Sequence, residues 1–150
     1  MAALGRDKSS VLHMRQRTIA AAIAYFWRFY LKHSFCDHEP TAIAVVCLSL
    51  ASKVQENPVN DHRKLLHLAK ELSKCVYDDA VALADDQLLR MELLVLEELG
   101  FNLSVFDPYT PLQQFLQHAA DADKDVLRLA WGLLNDCLVR ARAGALIVTP

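Results

Sequence analysis

The longest apolar stretch of the chain runs almost unbroken from Ile19 to Leu31, inside a segment that reads as one helix from about Leu12 to Lys32. Its polar side is a single stripe, Arg17, Ala21, Ala24, Arg28 and Lys32, so most of its circumference demands burial and the helix is expected to be central. A second apolar run, Ala42 to Ala51 (AIAVVCLSLA), follows Glu39, Pro40 and Thr41, which suit a helix start, and must end before Pro58. Asp61 suits the N-cap of a third helix with the stripe Leu65, Leu68, Ala69, Leu72, Cys75 and Val76. Its other face, Arg63, Lys64, Lys70, Glu71 and Lys74, marks it as a surface helix.

Asp85 and Asp86 fit the start of a fourth helix, which Gly100 can end in the left-handed conformation. Residues 101–106 then read as a connector closing on Asp107-Pro108. A short fifth helix is expected from Thr110-Pro111, packing Leu112, Phe115 and Leu116. A sixth runs from about Asp123 to Arg142, with Val126, Ala130, Leu133, Leu134, Cys137 and Leu138 inward. With four glycines, five prolines and no alternating strand pattern, the expected fold class is all-α with short connections. The residues show no clean internal repeat, but two helix groups divide near residue 107.

At 150 residues and 53% hydrophobic, the chain can bury a substantial core. A net charge of −2 gives no basic footprint for nucleic acid or an anionic membrane. The local pairs Arg15/Arg17 and Arg140/Arg142 read as solvated helix faces or ends. Cysteines 36, 47, 75 and 137 form no CxxC pair, which points to free thiols in a reducing compartment. No secretory leader is expected at the start, and the apolar runs carry too many polar interruptions for membrane spans. The closing ALIVTP, apolar and uncapped, reads as a place where the chain once continued, or as the end of a fragment or short isoform.

No phosphate loop, nucleophile elbow or metalloprotease helix is present, so no catalytic constellation, cofactor or metal is expected. The loop His33-Ser34-Phe35-Cys36-Asp37-His38 concentrates ligand-type residues. It would have to fold back on itself to converge them on zinc, and reads as an ordinary polar loop.

Two charges stand out. Lys53 ends the second apolar run and is the cation of a face shared with Ser49, Ser52 and Glu56, while Glu92 sits among Leu88, Leu89, Val95, Leu96 and Leu99 at helical spacings. Such a carboxylate needs compensation for its desolvation. Either the two form an internal salt bridge between packed helices, or both border an apolar surface and hydrogen-bond a partner's backbone, with Val54 and Phe101 as interface anchors.

The run Leu48-Ser49-Leu50-Ala51-Ser52-Lys53-Val54-Gln55-Glu56 resembles the LASKxEE motif of the cyclin box. Arg90-Met91-Glu92 through Leu99-Gly100-Phe101-Asn102-Leu103 resembles its partner helix, at fitting separation. Arg15-Gln16, Ile19-Ala20 and Tyr25-Phe26-Trp27-Arg28-Phe29-Tyr30 are similar to the RQ…IA…YFxRFY helix of the C-type transcriptional cyclins. Pro108-Tyr109-Thr110-Pro111-Leu112-Gln113-Gln114-Phe115 and Leu129-Ala130-Trp131-Gly132-Leu133-Leu134-Asn135-Asp136 are similar to their PYxPLxQY and LAWxxxND segments. The likeness extends from about Arg15 to Pro150.

The resemblance implies a cyclin-box helical bundle: residues 1–106 as a first box, nearly complete but lacking its N-terminal helix, and 107–150 as the start of a second, truncated box. It implies a non-enzymatic regulatory subunit, nuclear and heterodimeric with a cyclin-dependent kinase of the Mediator-associated type. Binding would push the kinase C-helix inward so that its glutamate pairs with the lysine orienting the ATP phosphates. The family's kinase-contacting residues carry over as Lys53, Glu56 and Glu92, and the pair is then expected to face outward. Gln55 departs from the first acid of the motif, removing one charge at the interface margin. The hydrophobic substrate-docking patch of cell-cycle cyclins lies on the helix expected to be missing, so Met14-Arg15 is not assigned to it. The alternative function is a kinase-independent cyclin-fold scaffold or general transcription factor contacting protein or DNA.

Overall fold

The computed structural model describes residues 14–56, 67, 85–118 and 124–140. They form five helices: α1 (Gln16–Tyr30), α2 (Pro40–Val54), α3 (Asp85–Glu98), α4 (Tyr109–His118) and α5 (Lys124–Arg140). No strand occurs among the described residues, and the all-α class is as expected. The helix expected after Asp61 lies outside the described residues, apart from His67, which is helical and exposed.

α2 is the most enclosed element. Every residue from Thr41 to Ser52 except Ala44 is buried, because the run carries no charge before Lys53. Glu39 caps it by accepting from the Ala42 N–H at 3.2 Å, and Pro40 takes the first turn, where its missing N–H costs nothing. α1 packs on α2, and α2 on α3, around Tyr25, Phe29, Ile43, Val46, Leu88 and Val95. At α2's end Glu56 takes φ 49°, a left-handed turn after which the helix cannot continue.

The polar stripe of α1 faces the chain between α3 and α4 rather than bulk water alone. Arg28 donates to the carbonyls of Asn102 and Ser104 at 3.2 and 3.0 Å, and Lys32 to that of Glu98 at 2.5 Å. Arg17 pairs with Asp107 at 2.9 Å and also donates to the Thr110 hydroxyl. Beneath them the Tyr25 hydroxyl donates to the Leu103 carbonyl at 2.7 Å. An irregular connector has carbonyls with no helical partner, and a row of cationic donors satisfies them. Burial lowers the Arg28 pKa from its usual value, partly offset by Tyr25.

Gly100 ends α3 as expected, at φ 60°. Its N–H bonds to the Glu97 carbonyl at 2.9 Å and the Phe101 N–H to that of Leu96 at 3.0 Å, the two bonds of a Schellman motif.

The structure corrects two packing expectations. In α4, Phe115 is exposed, and the buried ring is Tyr109. α4 also starts earlier than expected, because Asp107 accepts from the Tyr109 N–H and the Thr110 hydroxyl and so caps it. In α5, Val126, Leu133 and Cys137 are exposed, while Asn135 is buried and Trp131, Leu134 and Leu138 are partly buried. The helix carries two apolar stripes, and polar bonding selects between them. Asn135 Oδ1 accepts from Gln16 Nε2 at 2.9 Å and from the Tyr109 hydroxyl at 2.8 Å, turning that side of α5 toward α1 and α4.

Candidate functional site

Ser49 and Ser52 are buried at the end of α2, and the Ser52 hydroxyl donates to the Ser49 carbonyl at 2.7 Å. This local bond satisfies the polar atoms that share a face with Lys53. The Lys53 ammonium crosses to α3 and meets Glu92 Oε1 at 2.5 Å. The pair is asymmetric: the Lys53 side chain is 47% exposed and that of Glu92 only 9%.

The expectation of an outward-facing pair is therefore corrected for Glu92. It lies inward with Leu88 and Val95 and is bonded to Lys53, because a carboxylate in an apolar stripe is stable only beside a compensating cation. Only Lys53 reaches solvent. Glu92 Oε2 is buried and has no hydrogen-bond partner among the described residues. An ionised carboxylate has roughly four acceptor positions, so the arrangement leaves strong acceptor capacity unused at one end and ammonium N–H groups in solvent at the other.

The other expected site residues stand at the ends of the same two helices. Val54 and Glu56 are exposed beside Lys53, and Phe101 is 66% exposed just after α3. Phe101 also takes φ 57°, a conformation that is costly for an aromatic residue. The structure brings Lys53 and Glu92 into contact and leaves Val54, Glu56 and Phe101 as separate exposed groups. Leu89 and Leu93, one helical turn apart on α3, are exposed as well. Sequence periodicity grouped Leu89 with Leu88, and only the packing separates them.

In the loop after α1, His33 stacks on Phe29 at 4.4 Å between centroids and its Nε2 approaches Glu98 at 3.2 Å, while the His33 and His38 rings meet edge to face at 5.2 Å. These rings pack, and among the described residues no three His, Cys, Asp or Glu side chains converge as a metal site. The polar cluster of half-buried Gln16 with buried Tyr109 and Asn135 escaped sequence reasoning. Its one signal was an amide flanked by Leu134 and Leu138 on the inward side of an apolar helix.

The cyclin N-terminal domain matches residues 8–104, taking in α1, α2, α3 and the ion pair between the last two. The chain belongs to the cyclin family. It is 41% identical over 125 residues to Cyclin-C1-1 of Arabidopsis thaliana, covering 83% of this chain and 48% of that protein. It is 38% identical over 123 residues to Cyclin-C1-1 of Oryza sativa subsp. japonica (82% and 46%). Cyclin-C of Drosophila melanogaster is 35% identical over 131 residues (85% and 49%). The chain thus spans about half the length of the curated relatives it matches. Within this cyclin, the Lys53–Glu92 bridge is the junction of the two helices that carry the family's motif residues.

Proposed function

We propose that this cyclin binds a transcriptional cyclin-dependent kinase through Lys53 and Glu92 and activates it by positioning the kinase C-helix. The observation that carries the reading is the asymmetric bridge itself. Lys53 holds N–H groups toward solvent, while Glu92 keeps a buried carboxylate oxygen with no partner among the described residues. The bridge to Glu92 fixes the Lys53 ammonium in place before an encounter, so it can donate to a partner's backbone carbonyl with little side-chain entropy left to lose on docking. Val54 and Phe101 supply exposed apolar surface, and Glu56 an acidic margin. A strained, solvent-facing phenyl ring such as Phe101 fits a contact anchor better than a folding element.

In this role the cyclin does no chemistry. Docking shifts the kinase C-helix so that its glutamate reaches the strand lysine and orients the ATP phosphates. On this reading the complex is a nuclear heterodimer with a Mediator-associated kinase, without direct nucleic-acid contact, and the likeness to cyclins named Cyclin-C supports it. The cyclin-domain match and the change at Asp107 from the α3 connector to α4 support a division at 106/107 into a first box and the beginning of a second.

The test is kinase capture and activation by the full chain, compared with a variant carrying Lys53→Ala and Glu92→Ala. The variant is expected to lose most of both. Equal activation by the two proteins sinks the assignment.

A further inference from the structure

Gly100 alone is enough to stop α3, since its φ of 60° and its bond to the Glu97 carbonyl already make the left-handed turn. Phe101 repeats that conformation at φ 57°, where a Cβ crowds the carbonyl that follows. Its ring is 66% exposed, so burial offsets little of the strain. A residue strained in this way persists only where its surroundings over-determine it.

Those surroundings are one face of α1. Tyr25, Arg28 and Lys32 stand at i, i+3 and i+7, and between them they bond four backbone carbonyls that flank Phe101. Lys32 donates to Glu98 at 2.5 Å before the turn, and the Tyr25 hydroxyl to Leu103 at 2.7 Å after it. Arg28 takes two carbonyls at once, Asn102 at 3.2 Å from one terminal nitrogen and Ser104 at 3.0 Å from the other. A planar guanidinium has the fixed fork of donors that clamps two acceptors together, and an ammonium does not. Asn102 is held again through its own N–H, bonded to the Leu99 carbonyl at 3.1 Å, and through Oδ1, which accepts from the Ser104 N–H at 3.2 Å. Turning Phe101 to a negative φ swings the chain that follows it, and so requires both Arg28 bonds to break. All of these bonds go to backbone or to Asn102, so they set the path of the chain whatever ring stands at 101.

The structure assigns Arg28 the role of a positioning residue in kinase docking: it grips the connector at 102 and 104 and thereby keeps the Phe101 ring held out in solvent before an encounter. The assignment rests on the reading of Phe101 as a kinase anchor and adds the residue that presents it. Arg28 itself is half-buried against the connector and acts on the kinase through the ring.

A double-mutant cycle tests this, read by titrating a Mediator-associated cyclin-dependent kinase with the full chain. Arg28→Met keeps the apolar stem and removes the fork, and is expected to weaken kinase affinity about fivefold to tenfold, as loss of an anchor ring does. In a chain already carrying Phe101→Gly, the same change is expected to alter affinity less than about twofold, because the ring it presents is gone. Arg28→Lys keeps the charge and the stem, and is expected to repeat the cycle with a smaller loss. In the free chain, Arg28→Met is expected to speed amide exchange at Asn102 and Ser104 about tenfold or more while α2 exchanges at its original rates. Unchanged kinase affinity in Arg28→Met overturns the assignment, as does an equal loss with and without the Phe101 ring. Faster exchange throughout α2 overturns it too, by making Arg28 a residue of the fold alone. Full affinity in Phe101→Gly removes the anchor, and the assignment with it, even where exchange still shows the grip.

Discussion

Gln16 and Asn135 lie 119 positions apart, and their side chains meet at 2.9 Å, with the Tyr109 hydroxyl donating to the same Asn135 oxygen at 2.8 Å. Three helices are thereby joined through one buried acceptor. Removing it leaves the buried Tyr109 hydroxyl without its acceptor, which costs more than a net hydrogen bond is worth, while the half-buried Gln16 amide keeps the Tyr109 oxygen at 3.2 Å. Asn135→Leu is expected to destabilise the chain by about 2–3 kcal/mol, read from the urea midpoint, against about 1 kcal/mol for Tyr109→Phe. In the double variant the two effects should fall short of additivity. Additive losses would show that the three side chains do not act as a unit.

The bridge between α2 and α3 predicts a separation of stability from binding. Lys53→Ala leaves the buried Glu92 carboxylate uncompensated and is expected to cost about 1–2 kcal/mol, toward the low end for a broken pair because Lys53 is half exposed. Lys53→Ala combined with Glu92→Leu removes the orphan and restores an apolar stripe, so it should be more stable than the single variant in thermal unfolding. Both variants should lose kinase binding. A double variant less stable than Lys53→Ala would mean that Glu92 holds α3 by contacts other than the bridge.

Much of this fold was legible in the residues. The enclosed α2, the proline start near residue 40 and the left-handed stop at Gly100 follow from local chemistry that tertiary context did not override. The orientation of Glu92 and the inward side of α5 were not. Periodicity reports that a stripe exists without saying which of two stripes is buried. On α5 that choice rests with Asn135, whose partners are distant in sequence. At Glu92 the motif marked a partner-facing residue, while its place on the apolar stripe with Leu88 and Val95 sets it inward, where Lys53 compensates the cost of desolvating the carboxylate.

Alkaline pH should unfold the chain in a defined window. Burial pushes the Cys47 thiol from 9.0 up to about 12, and burial, reinforced by Cys47 and opposed by Arg28, pushes Tyr25 from 10.0 to about 12. Burial also raises Tyr109, with Asp107 adding and the Gln16 hydrogen bond subtracting. In each case folding favours the protonated form. The stability this confers is fully present below the unfolded-state values and is lost as pH rises from about 9 toward 12. Thermal midpoints should therefore fall steeply across that interval, and Cys47→Ala should flatten its lower part. An unchanged slope in that variant would remove the thiol from the account.

Phe101 offers a test in which stability and function move in opposite directions. Its φ of 57° is one that glycine adopts freely and an aromatic residue does not, and its ring is mostly in solvent, where it contributes little burial. Phe101→Gly should thus relieve the strain while adding entropy to the unfolded chain, leaving stability unchanged or raised by up to about 1 kcal/mol. If the ring is held out as a kinase anchor, the same change should weaken kinase affinity about tenfold or more, as removal of a buried aromatic contact does at other interfaces. Calorimetric unfolding beside a kinase titration separates the two effects. A variant that loses stability and keeps its affinity would assign Phe101 to the fold and take it out of the docking surface.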